Sequence, residues 1–394
     1  LRNIFTLLSL FFLVTFVNAQ SFPVTENTEI SIITIGPGEQ LYDSFGHSAY
    51  RIKDDTEGYD VAFNYGVYDF ETPNFYTKFA QGKLLYQLDV RNYDSFEKSY
   101  IRQNRWIKEQ ILNLSYSEKK ELSDFLWNNA QPENKKYKYD FFFDNCATKI
   151  RDVTKKVLDP ALTYNEDHIT QSYSFRDLIR KNLDENSWGS LGIDVALGAV
   201  IDRKAQPIEY QFLPDYIYSG AKNAVITRNG VKEPLVKKDI SVFEAEKKEV
   251  KKNFFTSPLF IFGIIGLLIL FVTYKDFKNK TRSRFLDTTL FLVTGLIGVF
   301  LLLLWFATDH TATANNYNLL WAFPFNLLLV FAISKRYPKV WVRKYVFFLL
   351  LMLVLLTVHW ITGVQLFAIG LIPLFISLAV RWIYLIVYLK KVNQ

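Results

Sequence analysis

From Pro258 onward the chain is a succession of apolar runs, at about 258–274, 286–306, 317–333, 345–361 and 365–388. Each has the roughly 17–25 residues that an α-helix needs to cross the hydrocarbon core of a bilayer. Backbone polar groups at that depth have no water to bond, so the spanning structure must satisfy them internally. The last third of the chain is therefore expected to be an all-α domain of five spans, over 256–394. Basic loops set its orientation. Lys275, Lys278, Lys280, Arg282 and Arg284 separate the first two runs, and Lys335, Arg336, Lys339, Arg343 and Lys344 separate the third from the fourth. Such loops stay on the cytoplasmic side. Residues 20–255 then lie outside the cytoplasmic membrane, and Lys390 and Lys391 at the C-terminus lie inside. The loops near 307–316 and 361–364 hold no Lys or Arg and fall on the outer face. The stretch "KKEVKK" at 247–252 is basic yet external; long translocated domains are largely exempt from the charge rule, and an amphipathic stretch there can touch anionic headgroups. Much of the net charge of +7 is thus a topology signal. The clusters sit between membrane-length runs, so they do not read as a nucleic-acid footprint.

Residues 1–19, "LRNIFTLLSLFFLVTFVNA", combine a basic start, an apolar stretch and a small final residue. That is the pattern of a secretory signal peptide with cleavage after Ala19, an uncleaved anchor being the alternative. Residues 20–255 are polar and aromatic, and long enough for one domain with its own core. "EISIITIG", "SFGHSAYRIK", "YDVAFNYGVYDF", "KLLYQLDV" and "WIKEQILNL" read as strands, alternating and rich in β-branched and aromatic residues. "SYSE" supplies a capping box for a helix after Ser115. A second helix is expected to start at Cys146 and stop at Asp159-Pro160, with others near 174–184 and 213–221. The domain is α+β.

Cys146 is the one cysteine, so an exported domain leaves it without a disulfide partner in its own chain. Asp144 and Asn145 precede it as capping residues, which puts the thiol at a helix N-terminus. Unpaired N–H groups and the helix dipole favour a thiolate there, and the same groups can hold an oxyanion. A lone cysteine is also a common buried hydrophobe, and both readings stand at this point. A base is needed for the first. Of the two histidines in this part of the chain, His168 lies in the polar stretch "YNEDHITQS", whereas His47 opens an expected strand after Gly46. A Cys–His pair would activate the sulfur, and a third polar group would orient the ring. Asn64 on the adjacent strand is the first candidate for that role and Asp69 the second.

"LYDSFGHSAYRI", "FNYGVYDF", "FAQGKLLYQL" and "YKYDFFFDNCATKIRD", with "TDHTATANNYNLLWAFPFN" among the spans, resemble the Lnb family of Bacteroidota. The order of a strand histidine, a polar residue on the next strand and a helix-start cysteine is that of circularly permuted papain-like folds, the NlpC-like and lecithin:retinol acyltransferase-like domains. The resemblance implies such a domain in the periplasm, fused to a multi-span domain in the inner membrane. It implies a lipoprotein N-acyltransferase, which adds the third acyl chain to the N-terminal cysteine of diacylated lipoproteins. His47 and Cys146 carry over as the catalytic pair. A phospholipid would be the acyl donor, a diacylated lipoprotein the acceptor, and a Cys thioester the intermediate. No cofactor or metal is expected, since no Gly-rich phosphate loop and no Cys/His metal spacing is present. Two other classes use the same residues differently: a membrane-anchored cysteine hydrolase (phospholipase or peptidoglycan amidase), and a non-enzymatic membrane scaffold with an inert thiol. Five spans favour lipid substrates over peptidoglycan.

The outer loop "FATDHTATANNYNLLWAFPFN" adds His310, Asp309, Asn315 and Asn316 at the external membrane surface. They are candidates for membrane-face contacts with a headgroup or acceptor, or for docking the catalytic domain; a hydrated loop with aromatic interface anchors is the plainer alternative. Asn326 lies inside the third run, where a polar residue is costly unless it faces a neighbour.

Overall fold

The computed structural model describes residues 22–246 and 253–392. The segment at 1–19, expected to be a leader, and "KKEVKK" at 247–252 lie outside the described residues. The N-terminal part is built on strands β1 (Glu29–Ile35), β2 (His47–Asp54), β3 (Tyr59–Val67), β4 (Leu85–Asn92), β5 (Ile107–Leu112), β6 (Lys136–Lys138), β7 (Leu162–Thr163), β8 (Val225–Arg228), β9 (Val231–Pro234) and β10 (Val236–Phe243). Seven of them form one antiparallel sheet in the order β10-β5-β1-β2-β3-β4-β6, and β7-β8-β9 form a small second sheet. Helices α1 (Phe75–Ala80), α2 (Tyr93–Ile101), α3 (Tyr116–Asn129), α4 (Cys146–Leu158), α5 (Phe175–Arg180), α6 (Trp188–Ala196) and α7 (Pro214–Asn223) complete this part.

Alternation along β2 and β3 explains the layering. Tyr50, Ile52, Phe63 and Tyr65 share a core with Ala147, Ile150 and Val153 of α4. Ala49 and Ala62 face the other way, onto Tyr93 and Phe96 of α2. The expected strands and the capped helix after Ser115 are all present, with Ser115 Oγ accepting from Glu118 N–H and Glu118 reciprocating. Strand β10 is an addition that the pattern did not announce: its Lys237, Lys238 and Asp239 are exposed, as befits a charged edge that resists pairing with another chain.

The C-terminal part has five candidate membrane spans, α8 (Pro258–Asn279), α9 (Arg284–Phe306), the segment Thr311–Ile333 that contains α10 (Phe325–Ile333), α11 (Val340–Ile361) and α12 (Ile372–Val392). The third is not the uniform helix over 317–333 that its apolar content implies. Tyr317–Leu320 form a 3-10 turn, and α-helix begins only after Pro324. Polar side chains hold the irregular half. Asn318 accepts from the Trp321 indole at 2.9 Å, and Tyr317 N–H donates to Gln365 Oε1 at 2.8 Å. Asn326 bonds Thr294 and Tyr345 at 2.8 and 2.6 Å. Non-helical backbone survives at membrane depth when protein, not lipid, surrounds it.

At the end of the bundle that carries the basic loops lies a buried ion cluster. Arg381 of α12 pairs with Asp276 and Asp287 at 2.7 Å each, and Arg282 pairs with Asp287 at 2.7 Å. The Arg381 and Asp287 side chains are 0% exposed. Arg282 thus does more than mark topology, because its guanidinium closes the cluster and bonds the Ile333 carbonyl. Replacing Arg381 by Met would leave buried Asp276 without its arginine and Asp287 with Arg282 alone. The expected cost is about 3–5 kcal/mol, to be read as a fall in the thermal transition of the detergent-solubilised chain.

The two parts meet along α6 and the segment after it. Asn316 Nδ2 donates to the Val195 and Ala196 carbonyls at 2.8 and 3.1 Å, and Asn318 Nδ2 to the Asp194 carbonyl at 2.9 Å. Gly198 N–H bonds Ala312 O at 2.9 Å, and Ala199 N–H bonds Asn315 O at 3.0 Å. A Cβ on Gly198 would sit 1.9 Å from the Ala314 carbonyl oxygen, so only glycine permits this approach. Behind it, Arg176 pairs with Asp194 and Asp202, and Arg180 joins Asp194 to the Phe367 carbonyl.

Candidate active site

His47 is the first residue of β2, paired with Ile35 of β1. By strand alternation it shares a face with Ala49, whereas Tyr50 points to α4. Asn64 stands on β3, on that same face beside Ala62. A register shift between Asn64 and Val67 breaks the β3–β4 ladder, with Gly66 at φ +89°. Such bulges re-aim side chains, and here His47 Nε2 lies 2.6 Å from Asn64 Oδ1. An oxygen acceptor requires Nε2 to carry its proton, which leaves Nδ1 for the sulfur. Asn64 is 6% exposed, so water competes little for this bond. The Tyr100 ring stacks over the imidazole with centroids 6.1 Å apart.

Cys146 reaches the same place from the opposite face of the sheet, because α4 starts just beyond the ends of β2 and β3. The position of a Cβ on Gly66 would be 3.5 Å from the Cys146 Cβ, so the glycine bulge lets backbone lie against the thiol. Asn145 caps α4 by accepting from Ala147 and Thr148 N–H at 2.9 Å each. Its amide nitrogen donates to the Phe141 and Phe212 carbonyls at 2.8 Å each, which locks the cap and leaves no hydrogen for an oxyanion. Asp144 forms no cap; it pairs with Lys149 at 2.6 Å. Its carboxyl is pushed above its usual range, burial outweighing the lysine.

The thiol and the imidazole are charge-coupled, each shifting the other. Burial disfavours charge on both. Against it, the His47 charge and the N–H groups of Ser48 and Ala147 bring the Cys146 thiol below its ordinary value. The thiolate in turn, with Asn64, raises His47 above its ordinary value in spite of burial and of the nearby Arg105 cation. Both directions favour a thiolate–imidazolium pair. Alkylation of Cys146 by iodoacetamide, followed by intact mass, is therefore expected to show a pH midpoint below the roughly 8.5 of a free thiol. A midpoint at or above that value would count against the ion pair.

The other sequence candidates are placed elsewhere. Asp69 caps a local turn by accepting from Glu71 N–H at 2.9 Å. His168 Nδ1 lies 3.0 Å from the Asn165 carbonyl within its own loop. The four outer-loop candidates act at the junction between the two parts. Asp309 pairs with Lys138 at 2.7 Å and its N–H bonds Gln81 O at 2.8 Å; His310 Nε2 lies 3.2 Å from Ala80 O. Asn315 and Asn316 bond the α6 segment as described. Sequence reasoning missed Gly66, Tyr100 and Arg105 around the pair. Arg105 is buried, donates to Gly36 O at 2.7 Å and stands 3.8 Å from Asp43. Among the described residues no group of three or more His, Cys, Asp or Glu is clustered as metal ligands.

A paired thiolate at a helix start, with an oriented imidazole, can attack an acyl carbonyl and pass the acyl group on. Residues 19–181 match the family model of the Lnb N-terminal periplasmic domain, and residues 249–392 match that of the Lnb transmembrane domain. No curated protein and no solved structure matches the chain.

Proposed function

The chain belongs to the Lnb family, as a membrane protein with a periplasmic N-terminal domain, and from that premise we propose that it is a lipoprotein N-acyltransferase. The observation that carries this reading is the coupled Cys146–His47–Asn64 line in a domain fixed onto five candidate spans. The Cys146 thiolate attacks the ester carbonyl of a phospholipid, forming the C–S bond. The C–O bond then breaks, and the departing lysophospholipid oxygen takes the proton held by His47. The α-amine of a diacylated lipoprotein next attacks the thioester, forming the amide as the C–S bond breaks. His47 receives the amine proton and the thiolate is restored. The N–H of Cys146 itself, at the first position of α4, is the oxyanion donor in both halves. Residues 20–255 supply the chemistry and 256–394 hold it at the membrane, with the C-terminus in the cytoplasm.

Both substrates are lipids with their heads at the surface of one leaflet, which is why a catalytic domain of soluble type is joined to membrane spans. The test is intact-protein mass of the full chain after incubation with phospholipid alone, and then with a diacylated lipopeptide. An acyl adduct that is cleaved by hydroxylamine and moves to the peptide amine is the expected result. An adduct lost to water at the same rate with or without the peptide would replace the transferase by a lipid hydrolase. No adduct at all would overturn the covalent mechanism.

A further inference from the structure

The connection from β3 to β4, residues 68–84, exposes large aromatic rings beside the outer end of α9. Phe70, Tyr76 and Phe79 are 64%, 80% and 54% exposed. Contiguous rings on a water-facing surface mark an interaction site more often than a neutral surface. Two contacts fix their height. The Gln81 carbonyl accepts from Asp309 N–H at 2.8 Å, and the Ala80 carbonyl lies 3.2 Å from His310 Nε2. Residues 309–310 follow Phe306, the last residue of α9, by only three and four positions, and Phe306 is itself 72% exposed. Helix α1 is therefore held at the level where a span leaves the hydrocarbon, the level that aromatic side chains occupy in membrane proteins.

The rings do not stop at the surface. Phe75 packs on Phe79, Tyr76 and Phe70, and it meets Tyr68 at 5.7 Å between centroids. Tyr68 packs on Tyr86 at 5.4 Å, and Tyr86 stacks on Tyr139 at 4.2 Å. The Tyr139 ring comes within 4.0 Å of the position of a Cβ on Gly66, whose other neighbour is Cys146. A continuous aromatic surface thus leads from the membrane boundary to the thiol. The outer three, Phe70, Tyr76 and Phe79, leave more than half of themselves exposed.

We propose that the 68–80 segment of this connection, the hairpin tip between β3 and β4 that carries α1, dips into the leaflet facing the catalytic domain and that its rings guide a lipid acyl chain to Cys146. The occupant is the hydrocarbon of a membrane lipid, because the hairpin continues a surface that the five spans already place in the bilayer. This rests on the acyl-transfer reading for its destination but not for its membrane contact, and the two are tested apart.

In the first arm, the full chain and a Tyr76→Ser, Phe79→Ser variant are reconstituted in liposomes of phosphatidylethanolamine and phosphatidylglycerol. Acylation of Cys146 by the bilayer phospholipid is compared with acylation by p-nitrophenyl acetate, a water-soluble ester. The ratio of the two rates is expected to fall by about tenfold or more in the variant, since both rings lose their apolar surface. An unchanged ratio would overturn the guiding role. In the second arm, a nitroxide is attached to Tyr76→Cys in a Cys146→Ala background, and its collisions with oxygen and with a water-soluble nickel chelate are measured. Oxygen should dominate, as it does in lipid; dominance of the chelate would overturn the insertion. If the unaltered chain forms no acyl-enzyme from phospholipid, the acyl-transfer reading fails while the spin label still decides where the hairpin lies.

Discussion

Replacing Cys146 by alanine is expected to abolish acyl transfer while leaving the fold intact. The thiol is 9% exposed, and the substitution removes one heavy atom from the start of a helix whose cap lies elsewhere. Asn145 holds that cap through Ala147 and Thr148, and neither bond involves the sulfur. The stability cost should stay within about 1 kcal/mol, the size of a small change at a well-supported site. The chemical cost is of another order. Without sulfur no thioester forms, and direct attack of an amine on a phospholipid ester has none of the covalent advantage. A loss on the order of 10⁶ follows from the effect of removing a covalent nucleophile. The measurement is the rate of acyl transfer to a diacylated lipopeptide, with a thermal melt on the same preparation. Retained transfer with an unchanged melt would mean that the cysteine is the inert hydrophobe that a lone thiol so often is.

Alanine at His47 should lower the rate by about 10²–10⁴, the range for removal of a positioned base, and should also move the pH profile. The sign follows from the two shifts. The thiol is lowered, so the sulfur is ionised from below its ordinary value upward. The imidazole is raised, so it keeps its proton to above its ordinary value. The reactive pair exists between those limits, and the rate falls on the acid side as sulfur is protonated and on the alkaline side as the ring loses its proton. In His47→Ala the alkaline limb disappears. The acid limb moves up, because burial then raises the thiol against only the Ser48 and Ala147 N–H groups. Single-turnover acylation across pH reads both limbs. A variant with an unshifted acid limb would show that something other than His47 ionises the sulfur.

Where local chemistry decides structure, the sequence was legible. Ser115 with Glu118, and Asn145 ahead of Cys146, are caps that announce their own helices. The alternation in β2 and β3 likewise put Asn64 on the strand adjacent to His47, and the register places the two on one face. The sequence already ranks Asn64 ahead of Asp69, but the bulge at Gly66 beside Asn64 carries no mark that alternation alone reveals. Arg105 and Tyr100 were illegible for a different reason: a loop arginine and a helical tyrosine carry no local mark of the partners that tertiary packing gives them. The irregular third span was hidden by composition. Its apolar residues satisfy any helical template, while Asn316 and Asn318 find carbonyl partners on α6 of the N-terminal part and Asn326 finds Thr294 across the bundle. The pairing of Arg381 with Asp276 and Asp287 was hidden in the same way, across three separate helices.

The close seat of Gly198 on the Ala314 backbone, with the asparagine bonds around it, has a kinetic meaning. A catalytic head on a slack tether would sample the aqueous space above the bilayer and meet its reactants in three dimensions. One clamped at this point travels with its spans, so every encounter is lateral diffusion within a plane. Turnover should then follow the mole fraction of donor in the membrane and stay level when the same membrane is dispersed in more water. On the acyl-transfer reading, the working concentration unit becomes molecules per area of lipid.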